Sequence, residues 1–278
     1  MIEKIKQSVK KILKSKSKYF PSPFDKLFYD LTIEEKIFNF EGWGMKTMHS
    51  SPWEGGFRNK AFLSANDELK TNFELVNLTT KHVDTLLWRH WIVTYSLRHA
   101  IEFTDQNSIN LVECGVAEGV TAFFLLKELK EQKELGLIKN YSLHCYDAWE
   151  QMREEYLLKT EKSCIGKFSN LNIELVKRNL SEFSDNVVYH QGYIPDSLKV
   201  PPSAPESISF LHIDLNSVIP TQAALEFFYP KILRGGTILF DDYGDKSYSG
   251  TKECADRFFS EKPGSLMPLP TGQAIYFL

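Results

Sequence analysis

Three aspartates stand at the ends of two apolar runs late in the chain, in SISFLHIDLNSVIPTQAALEFFYPKILRGGTILFDDYGD. Asp214 follows the first run, and the pair Asp241–Asp242 follows the second. Carboxylates gathered at neighbouring strand ends repel one another unless a proton or a cation neutralises them. Oxygen ligands suit a hard cation such as Mg²⁺, whereas no HExxH run or closely spaced Cys/His set favours zinc. A cation at this place would lower the pKa of a bound hydroxyl and fix its orientation, and a nearby base would take the proton. The bland alternative has one acid capping a helix and another paired with a lysine or arginine. His212 lies inside the first run and faces the same side as Asp214 if the strand is regular. It is either a satisfied core histidine or part of a base relay. His190, Gln191 and Asn216 are further polar candidates, while His49 and His90 lie outside the sheet and take no role from spacing.

A second constellation precedes the acids. In NLVECGVAEGVTAFFLLKELK a strand-like run ends at Glu113, and a turn containing Gly115 and Gly119 feeds an apolar helix. Such a turn sits at the carboxyl edge of a parallel sheet, where ligands bind. Gly115 allows tight turning and close approach of a ligand, and Gly119 lets the helix start near the strand. The spacing is ExGxxxG rather than the GxGxxG of pyrophosphate cradles, which fits an adenosine with an amino-acid tail better than a dinucleotide. Glu113 or nearby carbonyls would meet the ammonium. Asp147 closes the next strand-like run, SLHCYDAWE, where an acid accepts both ribose hydroxyls; as an isolated feature it would merely cap a helix. Methyl transfer from a sulfonium to an oxygen held beside the acids unites the two constellations.

The elements that must position these residues alternate from residue 108 onward. Strands are expected at Ile109–Glu113, Tyr141–Tyr146, Val187–His190, Ile208–Ile213 and Thr237–Phe240, with a final, antiparallel one in GQAIYFL. Helices are expected at Val120–Gly136, Thr221–Tyr229 and Thr251–Ser260. This alternation predicts an α/β fold, a mostly parallel sheet with helices on both faces. Residues 150–185 are charged and read as helices or a loop on the solvent side. Phe73–Ala100 reads as helical, and 41–59 as a loop rich in Gly, Ser, Trp and Met that would cover a pocket or pack a cap. The chain thus divides into an N-terminal extension or cap, 1–82, and a main domain, 83–278.

Composition narrows the classes. Of 278 residues, 42% are hydrophobic and 25% charged, and the formal charge is −3, so nothing drives the chain as a whole toward nucleic acid. No apolar run is long enough to span a membrane, and no secretory signal is expected. The lysine-rich stretch 4–18 carries Ile5, Val9, Ile12 and Leu13 at helical spacing, and reads as a solvated tail or an interfacial amphipathic helix. Cys114, Cys145, Cys164 and Cys254 form no CxxC pair, and a reducing cytoplasm fits.

Taken together, VECGVAEGVTA, YDAW, HQGYIPDSL and LHIDLNSVIPTQAALEFFYPKILRGGTILFDDYG resemble the macrocin O-methyltransferase family over roughly residues 83–278, with LLWRHW resembling the helix before the glycine turn. The resemblance implies a Rossmann-like class I methyltransferase fold with a seven-stranded sheet, and an enzyme methylating a hydroxyl of a sugar or natural product. Its cofactors would be S-adenosylmethionine and Mg²⁺. Glu113, Gly115, Gly119, Asp147, Ala148 and Trp149 would hold the cofactor. Asp214, Asp241 and Asp242 would hold the metal, and Asp214, Asp242 or His212 would act in catalysis. Homo-oligomers are common among the resembled enzymes. The departure is Asn216, where the family often carries an acid: an amide offers a metal its carbonyl but cannot act as a base. That departure leaves open a cofactor-binding or partner-binding protein without turnover. A nicotinamide-dependent oxidoreductase on the same sheet is the remaining alternative, weakened by the missing GxGxxG.

Overall fold

The computed structural model describes residues 83–278 except Asp105 and Pro270. The extension 1–82 lies outside the described residues, and with it the lysine-rich stretch, the loop at 41–59 and His49.

Apolar side chains at helical spacing form α1 (Val83–Phe103), which precedes the first strand. Strands β1 (Ser108–Cys114), β2 (Asn140–Asp147), β3 (Val187–Gln191), β4 (Ile208–Ile213), β5 (Ile232–Phe240), β6 (Ser265–Pro268) and β7 (Ala274–Phe277) form one sheet in the order β3-β2-β1-β4-β5-β7-β6. The first five strands run parallel, and β7 is antiparallel to β5 and β6. Helices α2 (Val120–Glu134) and α3 (Ile173–Asn179) follow β1 and β2, while α4 (Val218–Phe228) and α5 (Gly250–Phe259) follow β4 and β5.

Strand alternation sends side chains into two cores. Ile109 and Leu111 of β1 join Leu97 of α1 and Leu125 of α2 on one face. Val112 and Cys114 join Leu225 and Phe228 of α4 and Phe259 of α5 on the other. A sheet covered on both faces explains why its parallel strands read as continuous apolar runs. All four cysteines are buried and unpaired, as small apolar side chains would be.

Several boundaries differ from expectation for local reasons. The helix expected from Thr221 starts at Val218, because Pro220 falls in the first turn where no backbone donor is needed. Gly136, at φ 74°, ends α2 before the expected boundary. Strand β5 begins at Ile232 rather than Thr237, across a register shift opposite Ile208–Phe210. Strand β6 was invisible to apolar periodicity, since most of its residues are exposed. Residues 150–185 fold as 3₁₀ turns and α3, and several of them line a cavity instead of facing only solvent.

Beneath that cavity, the His144 and His190 rings meet at 3.0 Å, and Tyr146 stacks on His190 at 3.8 Å. Burial pushes the imidazole of His144 down to about 4, and burial together with His144 pushes His190 down to about 4. The unfolded chain protonates both near the ordinary value of about 6.5, so it takes up protons before the folded chain does. Stability conferred by the neutral pair is therefore expected to be complete above about pH 6.5 and to drain away toward about pH 4. Melting temperature across that window should fall more steeply in the wild type than in His144→Gln; parallel profiles would assign the slope to other groups.

Candidate active site

Sheet order reverses direction between β1 and β4, and such a switch point opens a crevice at the carboxyl ends of the strands. Gly115 forms its floor at φ 86°, and a Cβ there would lie 1.8 Å from the Asp214 carbonyl oxygen. Only glycine lets the turn after β1 pass this close to the end of β4. Gly119, at φ 89°, begins α2 and packs against α3, where a Cβ would meet Val176 at 2.7 Å. Its role here is packing, and it does not line the cavity.

Asp147 stitches the floor together. Its Oδ2 accepts from the Val116 and Ala117 amides at 2.8 and 2.9 Å, and its Oδ1 accepts from the Trp149 amide at 2.6 Å. Trp149 in turn donates its ring N–H to the Ala117 carbonyl at 3.0 Å and buries its indole in the core. The cavity, of about 300 Å³, is lined by Gly115, Asp147 and Ala148 at one end and by Asp214, Asn216, Asp241 and Asp242 at the other. Glu113, Gly119, Trp149 and His212 do not line it. Glu113 and His212 face each other beneath the floor instead, His212 Nδ1 to Glu113 Oε1 at 3.2 Å, with His212 Nε2 4.0 Å from Asp241. Burial raises the Glu113 carboxyl. Neither lines the cavity: Glu113, expected to meet the cofactor directly, pairs with His212, whose buried place matches the core-histidine alternative.

One ligand oxygen from each of Asp214, Asp241 and Asp242 can be chosen so that all three lie within 4.8 Å. Burial would raise all three carboxyls, but the outcome differs. Against burial, Arg89, His212 and Gln273 hold Asp241 below its usual range. Burial and the charges of Asp241 and Asp242 push Asp214 well above it. Burial and Asp241 push Asp242 up to about 6, against the opposing pull of Arg89. Proton-holding carboxyls beside an ionised one form an oxygen-rich donor set that a divalent cation fits. The Asn216 amide donates to Asp242, and more weakly to Asp214 at 3.5 Å.

A loop encloses the cavity. Met152 closes its neck on Lys167 at 2.8 Å and on Gly166 at 2.9 Å. Glu161 reaches out of the loop to accept from the Val218 amide, the first of α4, at 2.9 Å. Tyr156 of the loop stacks on Tyr193 after β3, with centroids 4.5 Å apart and planes 3° from parallel. Among the described residues, four other than glycine take a positive φ: Ala117, Trp149, Phe168 and Asn216. Three line the cavity and Trp149 is bonded to the first of them, so backbone strain is concentrated around this site.

Sequence reasoning missed Arg89, Gln273, Glu161 and the Tyr156–Tyr193 pair. A lone arginine in the otherwise apolar LLWRHW was the available sign of the first; the others carried none, because their partners are distant in sequence. His90 is buried against Phe124, its ring 4.6 Å away.

Gly115→Ala is expected to lower stability by about 3 kcal/mol or more, read by chemical denaturation, since the new methyl would overlap backbone. Glu161→Ala should cost about 1 kcal/mol, as loss of a helix-terminal acceptor does, and should speed amide exchange across residues 154–167. Unchanged exchange there would mean that Glu161 does not tether the loop.

Residues 112–243 match the model of a methyltransferase domain. Solved structures that share the fold include two methyltransferase chains. The O-methyltransferase NovP is 17% identical, with a TM-score of 0.58, over 68% of this chain and 78% of its own. CalS11, a calicheamicin methyltransferase, is 15% identical, with a TM-score of 0.51, over 80% of this chain and 94% of its own. No curated protein sequence matches the chain. The match to a methyltransferase model speaks against the nicotinamide-dependent alternative.

Proposed function

We propose that this S-adenosylmethionine-dependent methyltransferase moves the cofactor's methyl group to a hydroxyl of a small molecule, a sugar or natural-product intermediate, with Mg²⁺ bound at the acids. The observation that carries the reading is a single cavity joining the turn at Gly115 and Asp147 to Asp214, Asp241 and Asp242. NovP is an O-methyltransferase and CalS11 a calicheamicin methyltransferase, which supports a hydroxyl and a natural-product acceptor. Macrocin-type specificity rests on the motif resemblance alone. A cytoplasmic setting agrees with four unpaired cysteines, and no helix among the described residues is long and apolar enough to cross a membrane.

Gly115 and Ala148 shape the cofactor end, with Asp147 offering the ribose its remaining Oδ1 lone pair while its other sites keep the turn closed. Asp214, Asp241 and Asp242 would hold the cation, which polarises a bound hydroxyl and lowers its pKa. Asn216 donates a hydrogen bond into the cluster and accepts no proton, so the base is assigned to Asp242 or Asp214. His212, bonded to Glu113, lies 4.0 Å from Asp241 and lends it electrostatic support. The loop from 152 to 167 excludes water from the transfer. The N-terminal extension, 1–82, which carries no motif shared with the resembled family, is assigned to shaping the acceptor pocket, and the enzyme is assigned to a homo-oligomer on the resemblance.

A second reading, cofactor binding without turnover, has one observation in its favour: the Asn216 amide sits against Asp242, where an acid would repel it. Calorimetry with S-adenosylmethionine, with and without Mg²⁺, separates the readings when followed by a screen of hydroxylated acceptors. Micromolar binding, loss of at least about tenfold in affinity for Asp147→Ala, and Mg²⁺-dependent methylation are expected. Because Asp147 also closes the turn, a melting curve must accompany the variant. Binding with no methylated product across sugars and polyketides would leave the second reading standing; no binding at all would refute both.

A further inference from the structure

Arg89 reaches the acid cluster without lining the cavity. It leaves α1 and donates through Nη2 to Asp241 Oδ2 and, at 2.5 Å, to the Asp241 carbonyl, while Nη1 donates to the Thr271 carbonyl at 3.0 Å. Gln273 donates to the other Asp241 oxygen at 2.8 Å. Two backbone carbonyls and a carboxylate thus fix the guanidinium, and it does not line the cavity where Asp214 and Asp242 remain open. An arginine replacing a cation would lie among the carboxylates, with its fork spread over several of them. This one engages only Asp241 and leaves the cavity side to the others.

The arrangement has an electrostatic consequence. Three carboxylates within 4.8 Å present three negative charges to any cation they share. One fixed guanidinium in contact with them leaves two. A charge this close and this shielded from water acts with little screening by salt.

We propose that Arg89 is a positioning residue: it holds Asp241 in the cluster and, once all three acids ionise around a cation, sets the cluster's net charge at −2, so that the site favours a divalent over a trivalent cation. This rests on the reading of Asp214, Asp241 and Asp242 as a cation site. A purely structural tie between α1 and the sheet edge would leave the charge preference of the site untouched.

The test compares Mn²⁺ affinity by calorimetry with Tb³⁺ affinity by sensitised luminescence, on the full chain, for wild type, Arg89→Gln, Arg89→Lys and Asp241→Asn. The wild type should bind both. Arg89→Gln should shift the ratio toward Tb³⁺ by about tenfold or more, the scale of one unit charge at partly buried separation. Arg89→Lys, which restores the charge, should return the ratio to within about threefold of wild type. Asp241→Asn should shift it against Tb³⁺, and it carries the test if Arg89→Gln does not fold. An unchanged ratio in Arg89→Gln, or in Asp241→Asn when that variant must stand in, overturns the proposal while leaving the cation site intact. Arg89→Lys behaving like Arg89→Gln also overturns it, because charge would then not be what matters. A wild type that binds neither ion refutes the cation reading itself, and the proposal with it.

Discussion

Repulsion among Asp214, Asp241 and Asp242 is the constraint around which the remaining structure is arranged. Parallel pairing of β4 and β5 forces their ends together, and two apolar strands deliver the acids to one edge with no freedom to separate. Burial makes this costlier. The compensation comes from elements that would otherwise have no reason to meet: Arg89 from the helix before the sheet, Gln273 from the turn before the last strand, and Asn216 from the loop after β4. Helix α1 is thereby part of the site although none of its described side chains lines the cavity.

The two ends of the cavity are built on different physics. At the Gly115 end the backbone does the work: a glycine turn passes within van der Waals reach of β4, and Asp147 spends most of its hydrogen-bonding capacity on neighbouring amides. This rigid floor is organised before any ligand arrives. At the acid end the side chains carry the function, and their protonation depends on what lies among them. The loop from 152 to 167 spans both ends, pinned to α4 by Glu161 and stacked on Tyr193 by Tyr156. It ties the Gly115 end of the cavity to the acid end.

Much of this was legible in residue order. Five parallel strands announced themselves as apolar runs, and the acids, the glycine turn and Asp147 stood at their ends because ligands in such sheets bind there. Local patterns also showed α2, α4 and α5 to within a turn. What failed shares a cause. Strand β6 is exposed on most positions and so has no apolar signature. Glu113 was expected at the cofactor and His212 either in the core or in a base relay; the two pair with each other because the parallel register of β1 and β4 sets them side by side. Arg89 lies 152 positions from Asp241 in the chain, and Glu161 lies 57 from Val218. Such pairings exist only once the fold has formed, and a single sequence carries no record of them.

Asn216 holds its backbone at φ 55°, in the left-handed region. Among residues with a side chain, only asparagine and aspartate enter that region at little cost. The loop after β4 therefore favours glycine, asparagine or aspartate at this position, and any other side chain would add a backbone strain of about 1 kcal/mol or more. Amide and acid differ by one atom and one charge, and either fits the same backbone. Divergence at position 216 is thus a change of electrostatics without a change of shape, and chains with opposite chemistry at this point can share one architecture.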